Sequence, residues 1–101
     1  MDRGFVAIAE LEVRLPGSAS LKDRRSALAR LRSGLAERFG ASVCEVGDRD
    51  TPQRGALLVA CAQQTQAGCD DHLQRLERWL DERDVTVGIV QARMVTPEDL
   101  E

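Results

Sequence analysis

Residues 15–25, reading L-P-G-S-A-S-L-K-D-R-R, constrain this fold more than any other part of the chain. Pro16 has no amide hydrogen to give a sheet ladder and Gly17 accepts turn geometry, so a strand ends there. Ser20 carries the hydroxyl of a helix N-cap, able to accept from an amide that the first turn leaves unpaired. Asp23, three residues on, can reach back toward that cap in the manner of a capping box, with Asp for Glu. One short run therefore dictates a strand end, a reversal and a helix start.

The patterning on either side says what those elements bury. Phe5, Ala7, Ala9, Leu11, Val13 and Leu15 alternate with Val6, Ile8, Glu10, Glu12 and Arg14, which predicts a strand with one core face. Its second face starts apolar and becomes charged. After Ser20, Leu21, Leu28, Leu31, Leu35 and Phe39 fall within an arc of roughly 80°, the stripe of an amphipathic helix. Gly40 supplies its C-cap. Residues 41–46 predict a short strand and 47–53, with Asp48, Asp50 and Pro52, a loop. Residues 54–62 are apolar on both faces, as a central strand is. Thr65 can cap a second helix striped by Cys69, Leu73, Leu76 and Leu80, with His72 and Trp79 alongside. Asp70 and Asp71 suit that helix's positive end. Residues 85–95 predict a last strand, and 96–101 an acidic tail expected to fray.

The order β-α-β-β-α-β predicts a ferredoxin-like α+β sandwich over residues 1–95, an antiparallel four-stranded sheet with two helices on one face. Right-handed crossovers put the first and third strands in the centre. The other sheet face is left uncovered. At 101 residues the chain is long enough for one unstapled core. Cys44, Cys61 and Cys69 are odd in number and lack C-x-x-C spacing, so they are expected to be small buried hydrophobes in a reducing cytoplasm. The apolar run after Arg3 is too short for a secretory leader, and no run is long enough to span a membrane.

Chemistry is sparse. There is no nucleophile elbow, phosphate loop or zinc spacing, so no catalysis and no cofactor are expected. Asp48 and Asp50 form a D-x-D pair, but two ligands do not make a metal site. His72 lies beside an apolar stripe and is expected to be a core residue. Acylphosphatases share this fold and bind phosphate through an arginine in the first turn, which L-P-G-S-A-S lacks. The RNA-recognition motif shares it too, but Ala56, Leu58 and Cys61 stand where its stacking aromatics would follow Arg54 and Gly55. The net charge is −3, and the aromatics are Phe5, Phe39 and Trp79. Any RNA contact is therefore expected to be local, electrostatic and directed at phosphates.

Two features oppose local preference, and such conflicts point toward function. Arg24 falls inside the apolar stripe, so it must either snorkel or meet a carboxylate such as Glu10, Glu12 or Glu45. Lys22 and Arg24 lie near the positive end of the helix dipole. Lys22, Arg24 and Arg25, with Arg54 as an added member, are the candidate anion- or RNA-binding group. Val6 and Ile8 put apolar surface on the uncovered sheet face and are the candidate self-association residues, a homodimer being favoured.

L-P-G-S-A-S-L-K-D-R-R, then L-R-S-G-L-A-E-R-F-G-A-S-V-C-E-V, then D-R-D-T-P-Q-R, in that order, resemble the YlxP-like family of small bacterial proteins of unknown function. The resemblance implies a ferredoxin-like fold and a cytoplasmic location. Such genes neighbour those for a transcription factor, a translation initiation factor and ribosome-binding factor A, which implies rRNA or a ribosomal particle as partner. Ser20, Leu21, Lys22 and Arg25 match the family's S-L-K-x-K-R run, with Arg24 where Lys is usual. Glu45, Asp50, Gln53 and Arg54 match its A-E-V-x-x-x-D-x-W-Q-R run. Pro52 replaces the usual Trp and Cys44 the usual Ala, so a role needing the loop aromatic is not supplied here. Two readings remain: a non-enzymatic cytoplasmic protein of ribosome maturation, translation or RNA, or an oligomeric protein-interaction module without nucleic-acid contact.

Overall fold

The computed structural model describes residues 3–47, 50–83 and 85–100. Within them the chain runs β1 (Phe5–Arg14), α1 (Leu21–Phe39), β2 (Ser42–Val46), β3 (Arg54–Gln63), α2 (Gln66–Asp81), β4 (Thr86–Val95) and a 3-10 turn (Pro97–Leu100). The strands form one antiparallel sheet in the order β2-β3-β1-β4, so β1 and β3 are central as the crossover rule requires. This is the ferredoxin-like α+β arrangement.

Local chemistry sets the boundaries. The Ser20 hydroxyl accepts from the Asp23 amide at 3.1 Å, and Asp23 Oδ2 accepts in return from the Ala19 amide at 3.3 Å. Gly40 ends α1 in the left-handed region at φ 62°, where a side chain would be strained. Thr65 caps α2 by accepting from Gly68 at 3.0 Å. Ala9, Leu11 and Val13 of β1 and Leu57 and Val59 of β3 then bury their core face beneath Leu28, Leu31 and Leu35 of α1 and Leu76 and Leu80 of α2. α1 covers β2 and β3, while α2 lies mainly over β1 and β4. Trp79 bridges the helices: a Cβ at Gly34 would lie 2.6 Å from its ring, so only glycine admits the indole there. Among the described residues, no helix is long and apolar enough to cross a membrane.

Two expectations are corrected. Leu21 is 41% exposed, and Arg24, one turn on, occupies the first buried place of the stripe. Cys44 is exposed, because Val43 and Glu45 take the helix-facing parity of β2 and Cys44 falls opposite Leu58 on the other face. After β4 the chain makes its 3-10 turn, in which the Thr96 amide donates to Asp99 Oδ2 at 2.9 Å, and Arg3 lies 3.8 Å from Glu98. β4 also carries an unforeseen bulge. Glu10 pairs with Gln91 and Leu11 with Ile89, leaving Val90 extra and turned to solvent. A bulge there twists an edge strand away from unwanted pairing.

Candidate functional site

The conspicuous arginine of the stripe is spent inside the fold. Arg24 is only 2% exposed; its Nη1 lies 2.8 Å from Glu45 Oε1, and its Nε donates to the Arg54 carbonyl at 2.8 Å. Of the three carboxylates in prospect, Glu45 is the partner. Nearby, Gln53 Nε2 donates to the Ser18 carbonyl at 3.0 Å and the Leu15 amide to the Gln53 carbonyl at 2.8 Å. The β1–α1 turn, the end of β2 and the start of β3 are thus stitched into one rigid corner. A buried guanidinium committed to a carboxylate cannot take up an external anion, so Arg24 leaves the candidate binding group.

The other cations of that group diverge. Lys22 and Arg25 are exposed on α1, Lys22 roughly 160° around the helix from the buried Arg24. Arg54 pairs with Arg14 across the central strands, and its parity puts it with Leu58 on the uncovered sheet face. The four residues therefore share a corner of the chain but not a surface.

Val6 and Ile8 do share one. Both are half-buried on the uncovered face, opposite Ala62 and Ala60 of β3 and Val95 and Arg93 of β4. Leu58, next along β3, is 36% exposed. The far end of this face is charged, with Glu10, Glu12 and Arg14 on β1 and Arg54 beside them. Its apolar half is continuous over the central strands.

The remaining reactive groups are quiet. Burial, then Asp70 and Cys61, push the Cys69 thiol up, which keeps it protonated and unreactive. His72 packs edge-on against Phe39, and burial followed by Arg75 holds its pKa below the ordinary value, with Asp71 opposing. Asp50 is described but its partner in the D-x-D pair, Asp48, lies outside the described residues. Sequence reading passed over Arg30, Arg38, Arg75, Arg78 and Arg83, which line the gap between the helices. The signal was present, since Arg30, Gly34 and Arg38 recur at four-residue spacing and so mark one side of α1.

Residues 6–94 match the model of a family described as protein of unknown function DUF503. The chain belongs to this family. It is similar to the uncharacterized protein YlxP of Bacillus subtilis (strain 168), at 29% identity over 77 residues, covering 76% of this chain and 84% of that one. The matched span takes in nearly all of β1 and of β4, so the match runs over nearly the whole sandwich. The family description names no activity, and function must be reasoned from the surfaces.

Proposed function

We propose that this protein is a non-enzymatic binding module that works as a self-associated unit, pairing through its uncovered sheet face. The observation that carries this reading is the continuous apolar patch of Val6, Ile8, Leu58 and Ala60 left without a covering layer. The same face carries Glu10 and Glu12 as well as Arg14, Arg54 and Arg93, so it can oppose its own copy about a two-fold axis.

Light scattering across a concentration series tests this directly. The wild type should run as a dimer, and Ile8→Lys should shift it to monomer while helical circular dichroism survives. Cys44, exposed on the same face, gives a second readout: maleimide should label it more slowly at dimer-forming concentrations. A wild type that stays monomeric at high concentration removes the reading.

A second reading places the protein in the cytoplasm as a companion of ribosome maturation, translation or RNA. It is favoured by Lys22 and Arg25, exposed on a helix start that the Arg24–Glu45 pair holds rigid. Retention on ribosomal particles at low salt, lost on nuclease treatment and in Lys22→Glu/Arg25→Glu, would support it. Nuclease-insensitive capture of a protein partner would leave the interaction module alone.

A further inference from the structure

A trough runs along the seam between α1 and α2, on the opposite layer from the bare sheet face. It has three joined sections of about 340, 320 and 270 Å³. The first two share Ala27, Arg30 and Val85, and the last two share Trp79 and Glu82, so the sections form one continuous channel. Arg30 and Arg83 line its middle, and Arg38, Arg75 and Arg78 its far end. The carboxylates on it are Asp23 and Glu82. Five arginines against these two acids, with Asp71 beside Arg75 as a third, leave a basic surface on a chain whose net charge is −3.

Two of these arginines are held in place. The Arg83 guanidinium lies 4.3 Å from the centre of the Trp79 ring, and its Nε donates to the Trp79 carbonyl at 3.1 Å. It also stands 3.7 Å from Glu82. Arg75 lies 5.8 Å from the centre of the Phe39 ring and 3.8 Å from Asp71. Arg30, Arg38 and Arg78 are exposed and make no ion pair with a described residue. Arg30 and Arg38 stand roughly 12 Å apart along the axis of α1, the reach of a few successive phosphates on one strand. Trp79 is almost fully buried and offers no face for a base.

We infer that this trough binds a single strand of RNA by its phosphodiester backbone, with Arg30, Arg38 and Arg78 contacting phosphates and Arg75 and Arg83 providing fixed positive charge. The cations are spread at intervals along a channel rather than converging on one point, which suits a polymer better than a small phosphorylated ligand. Trp79 is buried and the half-buried Phe39 ring has Arg75 over it, so recognition is of charge and spacing, not of base sequence. The ligand class is that of the ribosome and RNA reading above, but the location is independent, because Lys22 and Arg25 are not among the residues lining the trough.

Fluorescence anisotropy of a labelled oligouridine over a potassium chloride series tests the site. The wild type should bind with a steep salt dependence. Arg38→Gln/Arg78→Gln should weaken binding at least about tenfold at low salt and make the log–log slope shallower by about 1.4, the loss of two single-strand contacts. Arg32→Gln, at an exposed arginine of α1 that does not line the trough, should leave both quantities unchanged. All the substituted residues are exposed, and circular dichroism confirms that each variant is folded. No binding by the wild type, or unchanged affinity and slope in Arg38→Gln/Arg78→Gln, would overturn the assignment. Labelled polyglutamate bound equally well through the same arginines would overturn it in favour of an acidic protein partner.

Discussion

Removing the carboxylate of Glu45 would strand the best-buried cation among the described residues. Arg24 has a 2%-exposed side chain, with Glu45 Oε1 at 2.8 Å and the Arg54 carbonyl at 2.8 Å among its partners. Deleting one member of a buried ion pair costs about 3–5 kcal/mol, because the survivor is left charged and uncompensated. The Glu45 side chain is itself 17% exposed, so water can reach the vacated space. Glu45→Ala should therefore cost near the lower end, about 3 kcal/mol. Against a total of about 5–15 kcal/mol for a domain, that is a large fraction. Replacing both partners, as in Arg24→Met/Glu45→Leu, should cost far less. Apolar residues of similar volume avoid two desolvation penalties, and the remaining loss includes the donor to the Arg54 carbonyl, worth about 1 kcal/mol. Urea titrations of the wild type, the single variants and the double variant at neutral pH measure all the terms. If Glu45→Ala stays within about 0.5 kcal/mol of wild type, the pair does not hold this corner together. If the double variant is as damaged as Glu45→Ala, charge compensation is the wrong account of Arg24.

Other substitutions probe the rest of the frame. Leu28 is buried against the bare backbone of Gly55, and Leu28→Ala should cost about 2–5 kcal/mol in denaturant melts through the cavity it leaves. Gly34→Ala should destabilise by about 1–3 kcal/mol despite better helix propensity, since the new Cβ meets the Trp79 ring at 2.6 Å; a stabilised variant would mean the helices separate freely. His72 has its pKa lowered by burial and by Arg75, so the unfolded chain binds a proton that the folded chain resists. Its contribution to stability should be complete above about pH 6.5 and decline as pH falls below it, and His72→Gln should flatten urea midpoints between neutral pH and about pH 5 relative to wild type.

The fold was legible because its signals are local. Ser20, Gly40 and Thr65 act within a turn of themselves, and β1 alternates cleanly from Ala9 to Arg14. Side-chain parity in β3 was not legible, because Arg54–Gln63 is apolar on both faces and hydrophobicity cannot choose between them. That ambiguity carried over to the site. Periodicity placed Arg24 in the buried stripe, but naming Glu45 as its partner needed the register of β2 on β3. Placing Arg54 on the opposite layer from Lys22 needed the same register. The trough was further out of reach. Its width depends on how far Trp79 holds α2 from α1, a distance that no single element encodes.

The bare sheet and the arginine trough lie on opposite layers of a two-layer domain, and this decides how they can act together. Pairing through the sheet covers Val6, Ile8 and Leu58 and leaves Arg38 and Arg78 free. A two-fold dimer would then carry two troughs facing away from each other. One long strand that reaches both gains avidity from the raised effective concentration at the second trough, whereas a strand too short to reach both gains none. Ile8→Lys, by freeing monomers, should thus weaken binding of a long RNA and leave a short oligouridine unaffected. Arg38→Gln/Arg78→Gln should weaken both. Equal losses on long and short RNA in Ile8→Lys would mean that the sheet face itself touches the strand, and the separation of the two surfaces would fail.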